Sequence, residues 1–222
     1  MGFLLRPANW DLTDTTSIPY LFLNHLYITG LTLLIGLLIA FPLAFLIVRY
    51  TRLNLPVQTT ASILYTIPSF AFLGFMIRFT GFSLATILVP LIAYAQVVLI
   101  RNIVAAIRAV DPTLVEVGRA MGMSRIQLQQ RVVLPLSLPI IVAGIRVVAV
   151  TTIGIATLGP WVGTQNLGTL IFDGIYLRGG DFGPNGEIIG GAILITALAI
   201  SVDLLLLGVQ RRLDHGGKAV LA

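Results

Sequence analysis

Few side chains in this sequence could do chemistry, and two of them sit where charge is costly. Arg146 interrupts the apolar stretch from Leu138 to Trp161, and Asp203 interrupts the one from Ile188 to Val209. Ionisable groups in such stretches usually face an opposite charge or a water-filled cavity. Arg146 follows Pro139 by about two helical turns, and Asp203 precedes Arg211 by about two, so both fall about 10–12 Å from the same boundary. Matched in depth and opposite in sign, they are expected to pair and to join two helices. The alternative is that Arg146 snorkels alone while Asp203 faces a pore. His25 and His215 are far apart and lack metal-ligand spacing, so no metal site is expected. There is no cysteine, which excludes disulfides, iron–sulfur clusters and thiolate zinc sites. Ser69 is not in a G-x-S-x-G turn, no carboxylate pair is present, and the phosphate-cradling pattern G-x-x-x-x-G-K-S/T is missing. The residues therefore give no support for catalysis or nucleotide binding by this chain itself.

The elements that carry these groups are read from composition and charge spacing. Of 222 residues, 57% are apolar and 10% are charged, against roughly 25% charged in a soluble domain. The mean hydropathy is +0.97. A soluble chain could not bury that much apolar surface, so an ordinary cytosolic enzyme and a disordered protein are both excluded. A membrane-crossing helix needs about 20 mostly apolar residues. No charge lies between Asp14 and Arg49, between Arg52 and Arg78, or between Arg78 and Arg101. Those gaps place spans near 22–48, 55–77 and 82–105, and the two stretches around Arg146 and Asp203 add spans near 138–161 and 188–209. The expected fold is an all-α membrane protein of five transmembrane helices. Leu167–Leu177 is too short to cross and carries Asp173, so it reads as a half-helix or loop at one face. Gly186, Gly190, Gly191 and Ala192 form a small-residue stretch that permits close helix approach, read as ordinary packing rather than a pore lining.

Basic residues orient the chain. Arg6, Arg78 and Arg178 fall on one side. Arg49, Arg52, Arg108, Arg119, Arg125, Arg131, Arg211, Arg212 and Lys218 fall on the other, which is therefore read as cytoplasmic. This puts the N-terminal segment 1–21 outside and the tail 213–222 inside, with the transmembrane domain over 22–212. The first residues lack the pattern of a cleaved secretory signal. The net charge of +5 reports topology and contact with anionic lipid rather than nucleic acid. Arg101, at the end of a span, is expected to snorkel to the headgroups.

Residues 108–135 form the one sizeable cytoplasmic loop. Asp111-Pro112 is a strong helix start, Gly122 a helix stop, and Ser124 with Gln127 a capping box. Leu134-Pro135 should end the second helix. The first helix is amphipathic, with Leu114, Val117 and Met121 on one side and Glu116 and Arg119 on the other. Such a helix lies on headgroups or docks in a protein groove, and its mixed charge leans toward a protein partner.

Here the residues resemble a known family. Glu116-Val117-Gly118, Gly122 at its offset, and Val132-x-Leu134-Pro135 resemble the EAA loop of bacterial ABC importer permeases, whose pattern is E-A-A, x3, G, x9, I-x-L-P. Val117, Gly118 and Val132 are mild departures. Further segments resemble the permeases of osmoprotectant importers for quaternary amines such as glycine betaine, carnitine or choline. They are Ile67-Pro68-Ser69, Arg101-Asn102, Asp111-Pro112, Ala143-Gly144-Ile145-Arg146, Ile153-Gly154-x-Ala156-Thr157-Leu158, and Gly163 to Gly168 with Ile171-Phe172. The similarity spans roughly 20–212 and implies a MetI-like core of five helices.

The resemblance implies a bacterial inner-membrane permease that binds no cofactor itself. ATP and Mg would be held by a pair of cytoplasmic ATPase subunits, and a second permease, identical or paralogous, would complete the pore. An extracytoplasmic solute-binding protein would deliver cargo near Gly163–Arg178. Glu116, Val117, Gly118, Arg119, Met121, Gly122, Leu134 and Pro135 would form the ATPase-coupling elbow. For Glu116 the plain alternative is a favourable acid in a helix's first turn. Tyr65, Tyr94, Trp161 and Tyr176 could cradle a quaternary ammonium, although anchoring at the membrane interface is the simpler reading. Related systems carry other zwitterions or amino-acid derivatives. A stand-alone channel or secondary transporter would be expected to carry more intramembrane carboxylates or an inverted repeat than Asp203 alone offers.

Overall fold

The computed structural model describes residues 3, 6–11, 14–176 and 183–219. The chain is helical: α1 Ile18–Arg49, α2 Asn54–Thr66, α3 Ser69–Thr80, α4 Leu84–Arg108, α5 Pro112–Ala120, α6 Arg125–Leu128, α7 Leu134–Ala156, α8 Gly168–Ile175 and α9 Gly183–Ala219. Among the described residues, four helical segments are long and apolar enough to cross a membrane: Ile18–Arg49, Leu84–Arg108, Arg125–Ala156 and Asn185–Asp214. Together, α2 and α3 pass the same test only as a bent pair.

That pair corrects the straight span read over 55–77. The chain turns by 95° between α2 and α3. Pro68 supplies no N–H to continue the ladder of α2 and pushes Ile67 out of helical space; Ile67 is extended, with φ −67° and ψ 124°. Proline alone does not decide this, because Pro42, Pro90 and Pro139 lie inside unbroken helices. At Pro68 the break is held from outside: the Tyr94 hydroxyl donates to the Ile67 carbonyl at 2.7 Å.

A second correction concerns the elbow. The helix opened by Ser124 does not stop at Leu134-Pro135. It widens into one π turn over Gln129–Val133 and runs on as α7. The Leu134 N–H reaches back to the Gln129 carbonyl, one residue farther than in an α-helix. The extra residue moves the carbonyl that the Pro135 ring would otherwise strike.

The middle of the molecule is α4, packed by α1, α7, α2 and α3. One cluster, at the elbow end, joins Ala40, Ala44 and Ile47 of α1 to Leu99, Ile103 and Ile107 of α4 and Ile141 of α7. A second, at the opposite end, joins Ile18 and Leu21 of α1 to Ile153 of α7, Leu170 of α8 and Ile195 of α9. Small residues set how closely the helices approach. A Cβ on Gly144 of α7 would sit 2.6 Å from the Cβ of Asn102 on α4, so two segments noted separately in the sequence meet at one crossing. Gly191 of α9 meets Ile171 and Leu170 of α8 in the same way, which gives the small-residue stretch a packing role. In lipid, such contacts act through dispersion and fit rather than water exclusion. Leu34, Leu38, Leu204 and Leu205 are exposed on the single chain, as apolar side chains can be in a membrane-crossing helix.

At the end away from the elbow, the connection from α7 to α8 is bound by polar contacts. Asn166 is fully buried. Its side chain donates to the Ala156 carbonyl at 2.8 Å and accepts from the Gly168 N–H at 2.7 Å. Asn24 of α1 donates to the Gln165 carbonyl. A Cβ on Gly168 would lie 2.0 Å from the Thr157 carbonyl oxygen, a backbone atom that cannot rotate away. Gly168→Ala is expected to destabilise the chain by roughly 2–3 kcal/mol or more. Gly30→Ala, where nothing lies within 4 Å, should be neutral or slightly stabilising. Thermal midpoints of the two purified variants in one detergent check the contrast.

Candidate functional site

The elbow is built from local signals. The Asp111 carboxylate accepts from the Thr113 N–H at 2.8 Å and Pro112 takes the first helical position, so α5 starts sharply. Gly122 stops it with φ +79°, a left-handed conformation that a side chain would strain. The Met123 N–H closes back on the Gly118 carbonyl at 3.1 Å. Ser124 and Gln127 then exchange both capping-box bonds, at 2.9 and 3.3 Å. A Cβ on Gly118 would sit 2.7 Å from Leu128 Cδ1, so α5 lies close against α6 on its Gly118 face.

This packing divides the apolar side of α5, turning Leu114 partly inward and leaving Val117 and Met121 outward. Gly118 is buried and Leu114 and Val115 are half-buried. Val117 and Met121 point away from the chain, 50% and 72% exposed, next to Ile126 at 69%. The first turn of α5 holds no acid. Glu116 lies past it, so the helix dipole does little for its charge. Glu116 and Arg119 are exposed, while Leu134 and Pro135 sit in the continuous helix that leaves the elbow. The predicted elbow residues therefore divide. Glu116, Val117, Arg119 and Met121 form the outer surface, Gly118 and Gly122 shape the turn, and Leu134-Pro135 lies at the joint with α7.

Arg146 of α7 and Asp203 of α9 meet in a two-pronged pair. Nε donates to one carboxylate oxygen and a terminal nitrogen to the other, each at 2.9 Å. The remaining terminal nitrogen donates to Oε1 of Gln210 at 2.9 Å. Both planar groups are matched edge to edge, the strongest form of such a contact. Gln210 was not legible as a partner; its only sequence signal is that it follows Asp203 by about two helical turns and so shares its face.

The remaining polar candidates fall elsewhere. His25 is fully buried, with Nε2 3.1 Å from the Ile153 carbonyl, and so bridges α1 to α7. The side chain of His215 lies outside the described residues, as does Arg178. Arg101 is exposed at its place in α4. Tyr65 packs edge-on against Tyr94, and Trp161 against Phe70, at ring-centre distances of 5.6 and 5.2 Å. Both pairs lie at or beside the α2–α3 break, whereas Tyr176 lies tilted against Phe172 of α8.

Over residues 24–216 the chain matches a family described as the binding-protein-dependent transport system inner membrane component. It is 38% identical over 190 residues to the carnitine transport permease protein OpuCB of Listeria monocytogenes, covering 86% of this chain and 85% of the relative. It is 33% identical over 205 residues to the choline transport system permease protein OpuBB of Bacillus subtilis, covering 92% of each. The osmoprotectant import permease protein OsmW of Salmonella typhimurium is 35% identical over 188 residues, covering 82% of this chain and 85% of the relative. Among solved structures, the fold is similar to that of the methionine ABC transporter MetNI in an inward-facing conformation. The TM-score is 0.74 at 23% identity, over 88% of this chain and 95% of the other. An amino acid ABC transporter with histidines gives 0.71 at 18% identity, over 88% and 93%. The apolar helices, the capped elbow and these likenesses agree: the chain belongs to the binding-protein-dependent transport system inner membrane components, as a multi-pass membrane protein.

Proposed function

We infer that this chain is the permease subunit of an ATP-driven importer for small quaternary amines such as choline, carnitine or glycine betaine. It carries out no hydrolysis. Two permeases, identical or paralogous, form the path, and two ATPase subunits that hold ATP and Mg grip the elbow from the cytoplasm. A binding protein delivers cargo to the opposite face. In this reading the bent α2–α3 pair counts as one crossing, which gives five spans with the N-terminus outside and the C-terminus inside. The substrate class follows the names of the relatives. The coupling role follows from the outer surface of α5, an apolar patch of Val117, Met121 and Ile126 beside Glu116 and Arg119. On a cytoplasmic loop such a patch suits a protein groove better than headgroups, because its charge is mixed rather than basic.

Reconstitution tests this directly. The chain is placed in liposomes with the ATPase and binding protein encoded in neighbouring reading frames, and labelled choline uptake is followed. Uptake should require internal ATP and the binding protein together. Steady choline flux through the chain without an ATPase would overturn the reading in favour of a self-sufficient channel or carrier.

A further inference from the structure

The α2–α3 break lies level with the middle part of α4, with Tyr65, Thr66 and Pro68 exposed. Tyr94 lies about 15 Å along α4 from Leu84, close to the middle of a hydrocarbon core about 30 Å thick. Its hydroxyl holds Ile67, so the break lies at that depth as well. At that depth Tyr94, and Tyr65 edge-on to it, would lie away from the headgroup level at which anchoring aromatics sit.

Broken backbone at mid-depth is tolerated only where it is buried in protein or lines a water-filled cavity. At this break α2 ends, and the negative end of its dipole is left at the bend. In a straight helix the Tyr65 and Thr66 carbonyls would accept from Ser69 and Phe70, but the 95° turn carries α3 away. Aromatic faces flank the same point. Tyr65 is 50% exposed and Phe70 48% exposed, and Trp161 stands edge-on to Phe70. Carbonyl dipoles beside exposed aromatic rings suit a cation whose charge is spread over methyl groups. Such a cation sheds its hydration readily and needs no carboxylate.

Building on the proposed function, we propose that the Ile67–Pro68 break is a mid-membrane station for quaternary ammonium groups. Tyr65 and Phe70 contact the methylated nitrogen, and Tyr94 acts as a positioning residue that holds the break open. The bound head rests on the ring face of Tyr65 and against the carboxyl-terminal turn of α2. Trp161 backs Phe70 and therefore senses occupancy.

The test needs neither ATPase nor binding protein, so its result is separable from that of the uptake assay. The chain has two tryptophans, and Trp10→Phe leaves Trp161 as the sole indole emitter. This variant is placed in nanodiscs and titrated with choline and with 3,3-dimethylbutan-1-ol, the neutral carbon analogue of the same shape. Choline should shift the Trp161 emission saturably, and the alcohol should bind roughly tenfold or more weakly. Tyr65→Leu should weaken choline by about tenfold while Tyr65→Phe, which keeps the ring, changes it by less than about threefold. Tyr94→Phe, which removes the hydroxyl but keeps the ring, should weaken choline and alcohol alike. Equal affinity for choline and the alcohol in the unmutated site overturns the proposal without relying on any substitution. So does a choline response untouched by Tyr65→Leu, or no saturable response at all.

Discussion

Glu116→Lys should abolish cargo-stimulated ATP hydrolysis by the assembled transporter while the chain inserts and accumulates normally. Glu116 is exposed and lies past the first turn of α5. Its replacement therefore removes little from the isolated chain, since an exposed substitution of this kind is worth within about 0.5 kcal/mol. The adjoining Val117, Met121 and Ile126 leave an apolar surface that none of the described residues covers. A docked partner would desolvate Glu116 against that surface, and reversing a charge in such a setting costs several kcal/mol. Stimulated hydrolysis should fall by roughly a hundredfold or more, with Glu116→Gln intermediate. Insertion is followed by protease protection, and coupling by phosphate release with and without loaded binding protein. Full stimulation in the Lys variant would remove α5 from the coupling path.

The second large effect is expected at Arg146 and Asp203. Asp203→Arg places two cations side by side within the membrane span, and Arg146→Asp places two carboxylates there. Either single reversal should reduce folded protein and uptake to background, because an unpaired charge at that depth is costly. The swap carrying both changes should recover a substantial share. Gln210 helps the swap rather than opposing it. Its amide now accepts from Arg146 through Oε1, and the same amide turned over donates to a carboxylate. Folded yield after gel filtration and choline uptake measure the two losses separately. Absence of any recovery in the swap would mean that α7 and α9 are not held by this pair.

Sequence patterning showed the long helices because their apolar runs exceed what a bilayer requires, and it showed the elbow because capping is local. Asp111 bonds two residues away, and Ser124 and Gln127 three apart. What escaped depended on distant partners. Pro68 breaks a helix that Pro42, Pro90 and Pro139 do not, and the difference is a tyrosine on another helix. Pro135 read as a stop because proline usually is one, yet a single π turn absorbs it. The pair of Arg146 with Asp203 was legible from depth and sign, but Gln210 carries neither signal. His25 carries no local signal of its role; its place is set by a carbonyl on α7.

The uninterrupted run from Arg125 to Ala156 has a mechanical meaning. Its 32 residues make a rod about 48 Å long, so a tilt of about five degrees at one end sweeps the other by about 4 Å. If the elbow couples as proposed, the stroke needed there is thus small. Because the guanidinium–carboxylate clamp ties α9 to this rod, the two should swing as one body, and the hinge must be sought on the side of α2 and α3.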